Sequence, residues 1–297
     1  MPGWTRPSWS PATSSRHSAV CLCIDDFGLH EHVNAAALAL RRDGRAQALS
    51  CMVGAPAWPD GAQALRRDSA GPSDVGLHLD FTQHPLTLPP TSWSSLWMQG
   101  RLDRLSPAAL HVEIAAQLDR FEQHLGRRPD FIDGHQHVHQ FPQVRDALVD
   151  LLLKRYPYQK PWLRSTRSTS WRLKPMMIGQ LGNRALTADA DLLAFPHNRR
   201  LLGVYDFSGG PERYEALLSR WLQGAQHGDL LMCHPSANLI PDDPIAQARV
   251  DEYQVLSDPR FDWQVRSNAV RLEAMSRILD DERFAGARWK PQGARSP

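Results

Sequence analysis

From about residue 19 onward, short apolar runs alternate with longer stretches in which apolar residues recur every three or four positions. Runs at 19–24, 48–53, 75–80 and 131–133 read as strands, and helical periodicity covers 33–42, 59–67, 107–125 and 144–153. Ser106 and Pro107 open the third helix, Ile114, Leu118, Phe121 and Leu125 lie on one stripe of it, and Gly126 can close it. Further strands are expected at 162–165, 204–207 and 230–233, with helices over 214–222, 246–256 and 269–279. Residues 82–105 carry Pro, Ser and Trp without periodicity and read as a long loop, a lid or binding element. The stretch 166–200 gives no clear pattern.

Repeated strand–helix alternation implies a parallel sheet with right-handed crossovers, either a barrel or a doubly wound sheet. The polar residues choose between them. Asp25 and Asp26 follow the first strand, His78 ends the third, His135 follows the fourth, Arg164 ends the fifth and His234 follows a late one. In a (β/α) barrel these strand ends share one rim, whereas an open sheet would spread them along an edge. A barrel is therefore expected. No glycine-rich dinucleotide fingerprint is present, which counts against a Rossmann oxidoreductase.

The chain has 297 residues, 42% of them hydrophobic, enough for a substantial core. Its net charge of +2 comes from interspersed residues, with no basic block to follow a phosphate backbone, so no nucleic-acid partner is expected. The four cysteines, Cys21, Cys23, Cys51 and Cys233, lie in apolar segments without a CxxC pair, the pattern of reduced core residues. Residues 1–18, rich in Pro, Ser, Trp and Arg, lack the apolar core of a signal peptide and are expected to form a disordered arm, with one domain over 19–297. No run approaches the roughly 20 apolar residues of a membrane span, and a cytoplasmic location is expected.

The chemistry concentrates in Asp133-Gly134-His135-Gln136-His137-Val138-His139. On an extended backbone residues two apart share a side, so the three imidazoles would face one way, and imidazole is the commonest protein metal ligand. Alone, such a run is as often a histidine-rich surface turn. Asp25-Asp26-Phe27-Gly28 and Gly76-Leu77-His78-Leu79 supply further oxygen and nitrogen donors from other strands. Asp26, His78 and His135 can form a catalytic metal set with an open position, leaving Asp25 as general base and His234 as general acid for hydrolysis of an amide or ester. Each residue also has a plain structural role open to it, Asp25-Asp26 as a helix cap, His78 in a core, His234 shaping a turn and Arg164 in an ion pair; their joint placement at strand ends is what favours chemistry. No GxSxG nucleophile elbow appears.

Val20 to Leu29 with Val33-Asn34, then Val75-Gly-Leu-His78-Leu79, Asp133-Gly-His135-Gln-His137-Val-His139 with Pro142, and Met232-Cys-His234-Pro235 together resemble the YdjC-like carbohydrate deacetylases, also called the ChbG/HpnK family. The resemblance covers nearly everything after the arm. It implies a distorted, incomplete TIM-like barrel that uses a divalent metal to remove acetyl groups from N-acetylated sugars. It further implies ligands at Asp26, His78 and His135, a catalytic aspartate pair, a role for His234 across the pocket, and second-shell or substrate-facing places for His137 and His139. Ile24 stands where a small residue is usual, and His30 and Gly134 each replace a usual serine. His30 at the mouth can alter substrate choice.

An oxygen and nitrogen donor set suits Zn, Mn or Co, whereas family members are commonly described with magnesium. The expected substrate is an N-acetylated oligosaccharide or glycolipid headgroup, and a homodimer is compatible with the chain. Trp93 and Trp97 in the long loop can stack on sugar rings or serve as packing anchors. Two other readings stand beside this one: a metal-dependent phosphoesterase or lyase on the same barrel, and a non-catalytic sugar or metal binder.

Overall fold

A strand buried on both faces must pair on both edges, and the first strand of this protein does so with partners from both ends of the sequence. The computed structural model describes residues 17–168 and 174–281. The chain alternates β1 (Ser18–Phe27), α1 (Glu31–Arg42), β2 (Ala48–Cys51), α2 (Trp58–Arg67), β3 (Asp74–Leu79), α3 (Trp93–Arg101), α4 (Pro107–Leu125) and β4 (Phe131–Gly134). After short turns over His135–Gln140 come α5 (Pro142–Arg155), β5 (Trp162–Leu163), α6 (Lys174–Leu192), β6 (Leu201–Leu202), α7 (Gly210–Gln223), β7 (Asp229–Cys233), α8 (Ala246–Ser257), α9 (Arg260–Ser267), β8 (Val270–Leu272) and α10 (Met275–Asp280).

All pairings between these strands are parallel, in the order β5-β4-β3-β2-β1-β7-β6. Between β5 and β6 there is no continuous ladder; the Leu163 amide donates to the Pro196 carbonyl and the Leu201 amide to that of Arg167. The result is an incomplete (β/α) barrel. β8 lies against the start of β1, where the Glu273 amide donates to the Val20 carbonyl; farther along the same edge the Gln47 amide leading into β2 donates to Leu22.

The period of two along β1 sorts the core. Val20, Leu22 and Ile24 pack with the helices, whereas Ala19, Cys21 and Cys23 join Phe131, Trp162, Leu230 and Met232 in a second cluster. Met275 and Ile278 of α10 complete that second cluster, and Ser276 binds the Asp74 carboxylate with both its amide and its hydroxyl. All four cysteines are buried and free. No helix among the described residues is long and apolar enough to cross a membrane.

Several expectations are corrected. The region 82–105 contains α3, opened by Ser92, whose hydroxyl accepts from the Ser95 amide. Its preceding segment is pinned rather than loose: Asp80 accepts from the Thr82, Gln83 and His84 amides, and buried Glu113 accepts from those of Leu86, Thr87 and Leu88. The strand expected at 204–207 is instead β6, ending at Leu202, followed by irregular backbone. The helix expected at 269–279 divides into β8 and α10, because Val270 and Leu272 pair with β1. Of the expected amino-terminal arm, Ser18 already belongs to β1, and residues 1–16 lie outside the described residues.

Glu113→Ala strands three backbone donors that Glu113 now satisfies. A loss of about 3 kcal/mol in urea unfolding is expected, with new proteolytic cleavage within 82–91. An unchanged midpoint and an intact segment would contradict this account.

Candidate metal centre and active site

The site begins with a break in the rhythm of β1. Cys21 and Cys23 face the interior and Asp25 continues that series, but the pairing with β2 shifts register between Ile24 and Phe27. Asp26 occupies the shift with φ 63, a left-handed conformation that aspartate tolerates better than most residues. Phe27 consequently packs on the helix side with Ile24. One bulge, centred on Asp26, thus sends two adjacent carboxylates to different neighbours.

Asp26 meets His78 and His135. Its Oδ1 lies 3.3 Å from His78 Nε2 and 3.1 Å from His135 Nδ1. Ligand atoms from these three buried residues all fall within 4.8 Å of one another. Behind His78, Nδ1 is 2.7 Å from Asp133 Oδ1, and the Ser50 hydroxyl donates to that same oxygen at 2.5 Å. A carboxylate behind a ligating imidazole fixes its tautomer and ring orientation. Arg249 of α8 donates to Asp26 Oδ2 at 2.7 Å and to Asp243 at 2.6 Å.

Asp25 has a different partner. Arg164, fully buried at the end of β5, donates to both its oxygens at 2.5 and 2.6 Å, and also lies 2.6 Å from Asp133 Oδ2 and 2.9 Å from Cys23 Sγ. Cys23, Asp25 and Asp133 also cluster closely enough to hold an ion. The guanidinium already supplies positive charge there, so this second group is a salt bridge. His234, following β7, brings Nε2 to 3.9 Å from Asp25 Oδ2.

The electrostatics follow from burial and charge. For Asp26, burial works to raise the carboxyl, but Arg249 and the two imidazoles outweigh it and hold it well below the usual range. For His78, burial acts to lower the imidazole, yet Asp133 and Asp26 prevail and push it up to about 10. The pocket thus favours positive charge at His78, and a proton on Nε2 and a divalent cation are alternative ways to provide it. Burial takes His234 down to about 4, against the pull of Asp26 and Asp25. Burial raises Glu252 from 4.5 to about 7 even though its oxygens accept from the Tyr205 hydroxyl and the His234 amide.

The histidine run is not extended. Gln136 and His137 have φ 51 and 61, and the tight turns send the imidazoles apart. His135 faces Asp26, while His139 Nε2 lies 3.0 Å from the Arg164 carbonyl and its ring meets His137 edge-on at 6.4 Å. Gly134 permits this: a Cβ there would stand 2.9 Å from the His139 amide nitrogen. His30 caps α1, its Nδ1 accepting from the His32 amide. Trp97 stacks on Trp93 at 6.5 Å with Arg101 5.5 Å from its ring, and the Trp93 indole donates to the Gln136 carbonyl. These contacts make the pair a wall beside the histidine turns. Asp25, Asp26, His78, His135, Arg164 and His234 converge; His30 and Trp97 have no contact with the metal cluster among those described.

Ser50, Arg249 and Glu252 were not foreseen. Asp133 was visible as the acidic residue opening the histidine run, and a carboxylate inside the buried strand β4 was the available signal. Arg249 and Glu252 sit in a helix whose sequence looks solvated.

The YdjC-like protein family matches residues 19–267, and the chain belongs to it. It is 26% identical over 263 residues to the chitooligosaccharide deacetylase of Escherichia fergusonii, across 84% of this chain and 94% of that protein. Among solved structures, a candidate cellobiose-phosphate cleavage protein from Enterococcus faecalis V583 superposes with a TM-score of 0.64 at 18% identity, covering 89% of this chain and 99% of the other. An uncharacterized protein from Agrobacterium tumefaciens C58 gives a TM-score of 0.53 at 10% identity, covering 91% and 92%. At such identities the structural likenesses establish the fold.

Because folding raises Glu252 above its unfolded value, the native state holds a proton that the unfolded chain releases. Its contribution to stability is full below about 4.5 and is lost as pH rises towards about 7. The stability of the wild type relative to Glu252→Gln should therefore fall between pH 5 and pH 7.5 in denaturant titrations. A constant difference across that range would refute the assignment.

Proposed function

We propose that this protein is a metal-dependent hydrolase that removes the acetyl group from an N-acetylated sugar, an oligosaccharide or a glycolipid headgroup. The observation that carries the reading is the convergence of Asp26, His78 and His135 within 4.8 Å, beside a carboxylate, Asp25, that is separately held. Membership of the YdjC-like family and the likeness to a chitooligosaccharide deacetylase support it.

The donor set fits a divalent cation. Asp133 engages the far nitrogen of His78, and His135 Nε2 is buried with no hydrogen-bond partner among the described residues. Asp26, His78 and His135 would hold the ion, and one carboxylate with two imidazoles suits Zn, Mn or Co better than magnesium. When bound, a divalent cation acidifies water and polarises the amide carbonyl.

The protein's own groups then divide the proton transfers. Asp25 accepts the proton of the attacking water through a carboxylate lone pair that Arg164 does not occupy. Arg164 fixes the plane of that carboxylate by gripping both oxygens. His234, neutral in the resting site because burial lowers it to about 4, is an acceptor first. The proton gained by Asp25 reaches Nε2 across the 3.9 Å gap by way of a small movement or one water, and His234 delivers it to the departing amine.

Purified protein with defined divalent metals is to be incubated with N-acetylglucosamine oligomers and N-acetylated glycolipids, reading acetate and free amine by mass spectrometry. Acetate release is expected, and His78→Ala is expected to abolish it together with cation binding by calorimetry. Asp25→Asn should keep cation binding while kcat falls about 10²–10⁴-fold. Release of phosphate from phosphorylated sugars without acetate from any N-acetyl substrate would overturn the reading.

A further inference from the structure

Phe207 adopts φ 54, a conformation that a bulky side chain takes only where its surroundings impose it. The surroundings are visible on both sides. Gly203 begins the segment with its backbone against β7; a Cβ there would lie 2.1 Å from the Met232 carbonyl oxygen, two residues before His234. Arg213 of α7 then clamps the residues flanking Phe207. Its Nη1 donates to Asp206 Oδ1 at 2.6 Å, to the Ser208 carbonyl at 2.6 Å and to the Ser208 hydroxyl at 2.7 Å, and its Nη2 donates to Asp206 Oδ2 at 3.1 Å. Glu252 ties the same segment to the site, accepting from the Tyr205 hydroxyl at 2.8 Å and from the His234 amide at 2.5 Å.

The enforced conformation places the Phe207 ring 5.2 Å from the His234 ring, nearly perpendicular at 81°, with Tyr205 behind it at 4.8 Å. An edge-to-face contact restricts rotation of the imidazole, and His234 has little else to do so: its Nδ1 is buried with no hydrogen-bond partner among the described residues. We propose that Phe207, held by the Arg213 clamp, is a positioning residue that fixes the His234 imidazole so that Nε2 faces Asp25. This rests on the reading of His234 as the group that protonates the departing amine. The charged and titratable groups acting on His234 are Asp25, Asp26, His78 and Arg249, with Glu252 at its amide. Phe207 contributes no charge, so its effect must come through orientation and exclusion of water.

The test compares wild type, Phe207→Ala, Phe207→Tyr and Arg213→Met in the metal-loaded protein, with folding checked by circular dichroism. Acetate release gives kcat and KM, and the His234 ring titration is followed by NMR. Phe207→Ala should lower kcat about 10–100-fold with KM within about twofold, and His234 should titrate closer to its ordinary value. Phe207→Tyr should restore both, and Arg213→Met, which leaves the ring in place, should move both in the same direction by less. An unchanged kcat and titration in Phe207→Ala, or a raised KM alone, would overturn the proposal. If no variant or wild type releases acetate yet the titration still moves, the proposed function falls and the positioning role stands.

Discussion

The site depends on the neutralisation of one buried guanidinium. Arg164 comes off β5 and finds Asp25 of β1 and Asp133 of β4, all sealed from solvent. Removing one partner from such a buried set leaves a charge uncompensated, at about 3–5 kcal/mol. The geometry follows from that constraint. Strands from opposite parts of the barrel must bring their ends together around Arg164, and Asp133, held on one side, presents its other oxygen to His78. Arg249 does the same for Asp26 from outside the sheet. Four carboxylates, Asp25, Asp26, Asp133 and Asp243, thus share two guanidinium groups, and the excess of negative charge leaves the imidazole-lined side as the place where further positive charge is welcome.

Adjacent aspartates meet unlike neighbours because of backbone geometry rather than sequence identity. In an uninterrupted strand Asp25 and Asp26 would face opposite sides of the sheet. The register shift instead turns Asp26 towards the two imidazoles while Asp25 stays in the interior series with Cys23. Two adjacent carboxylates are thereby held next to each other without competing for the same partners, one on two imidazoles and one on a guanidinium.

The strands and their polar ends were legible because a sheet buried on both faces writes itself as short continuous apolar runs, and a charged residue terminating such a run is conspicuous. Asp25, Asp26, His78, His135, Arg164 and His234 were all singled out in this way. The path of the histidine run was not, because alternation reads as extended backbone, whereas the left-handed Gln136 and His137 depend on how closely Gly134 approaches His139. Arg249 and Glu252 were hidden by a helix that buries Arg249, Asp251 and Glu252 and so lacks a simple apolar stripe. Val270 and Leu272 surround an exposed Arg271, too little to announce a strand until its pairing with β1 is seen.

That last pairing has a consequence for biogenesis. Ser18–Val20 bond to Val270–Leu272, and the next stretch of β1 bonds to Asp229–Cys233, so β1 is completed only by strands that follow it far along the chain. During synthesis the edge of β1 that takes β7 waits unpaired until residues 229–233 have been made. Pairing over so long a separation slows closure of the sheet, and the edge of β1 stays open to edge-to-edge association until β7 and β8 are in place.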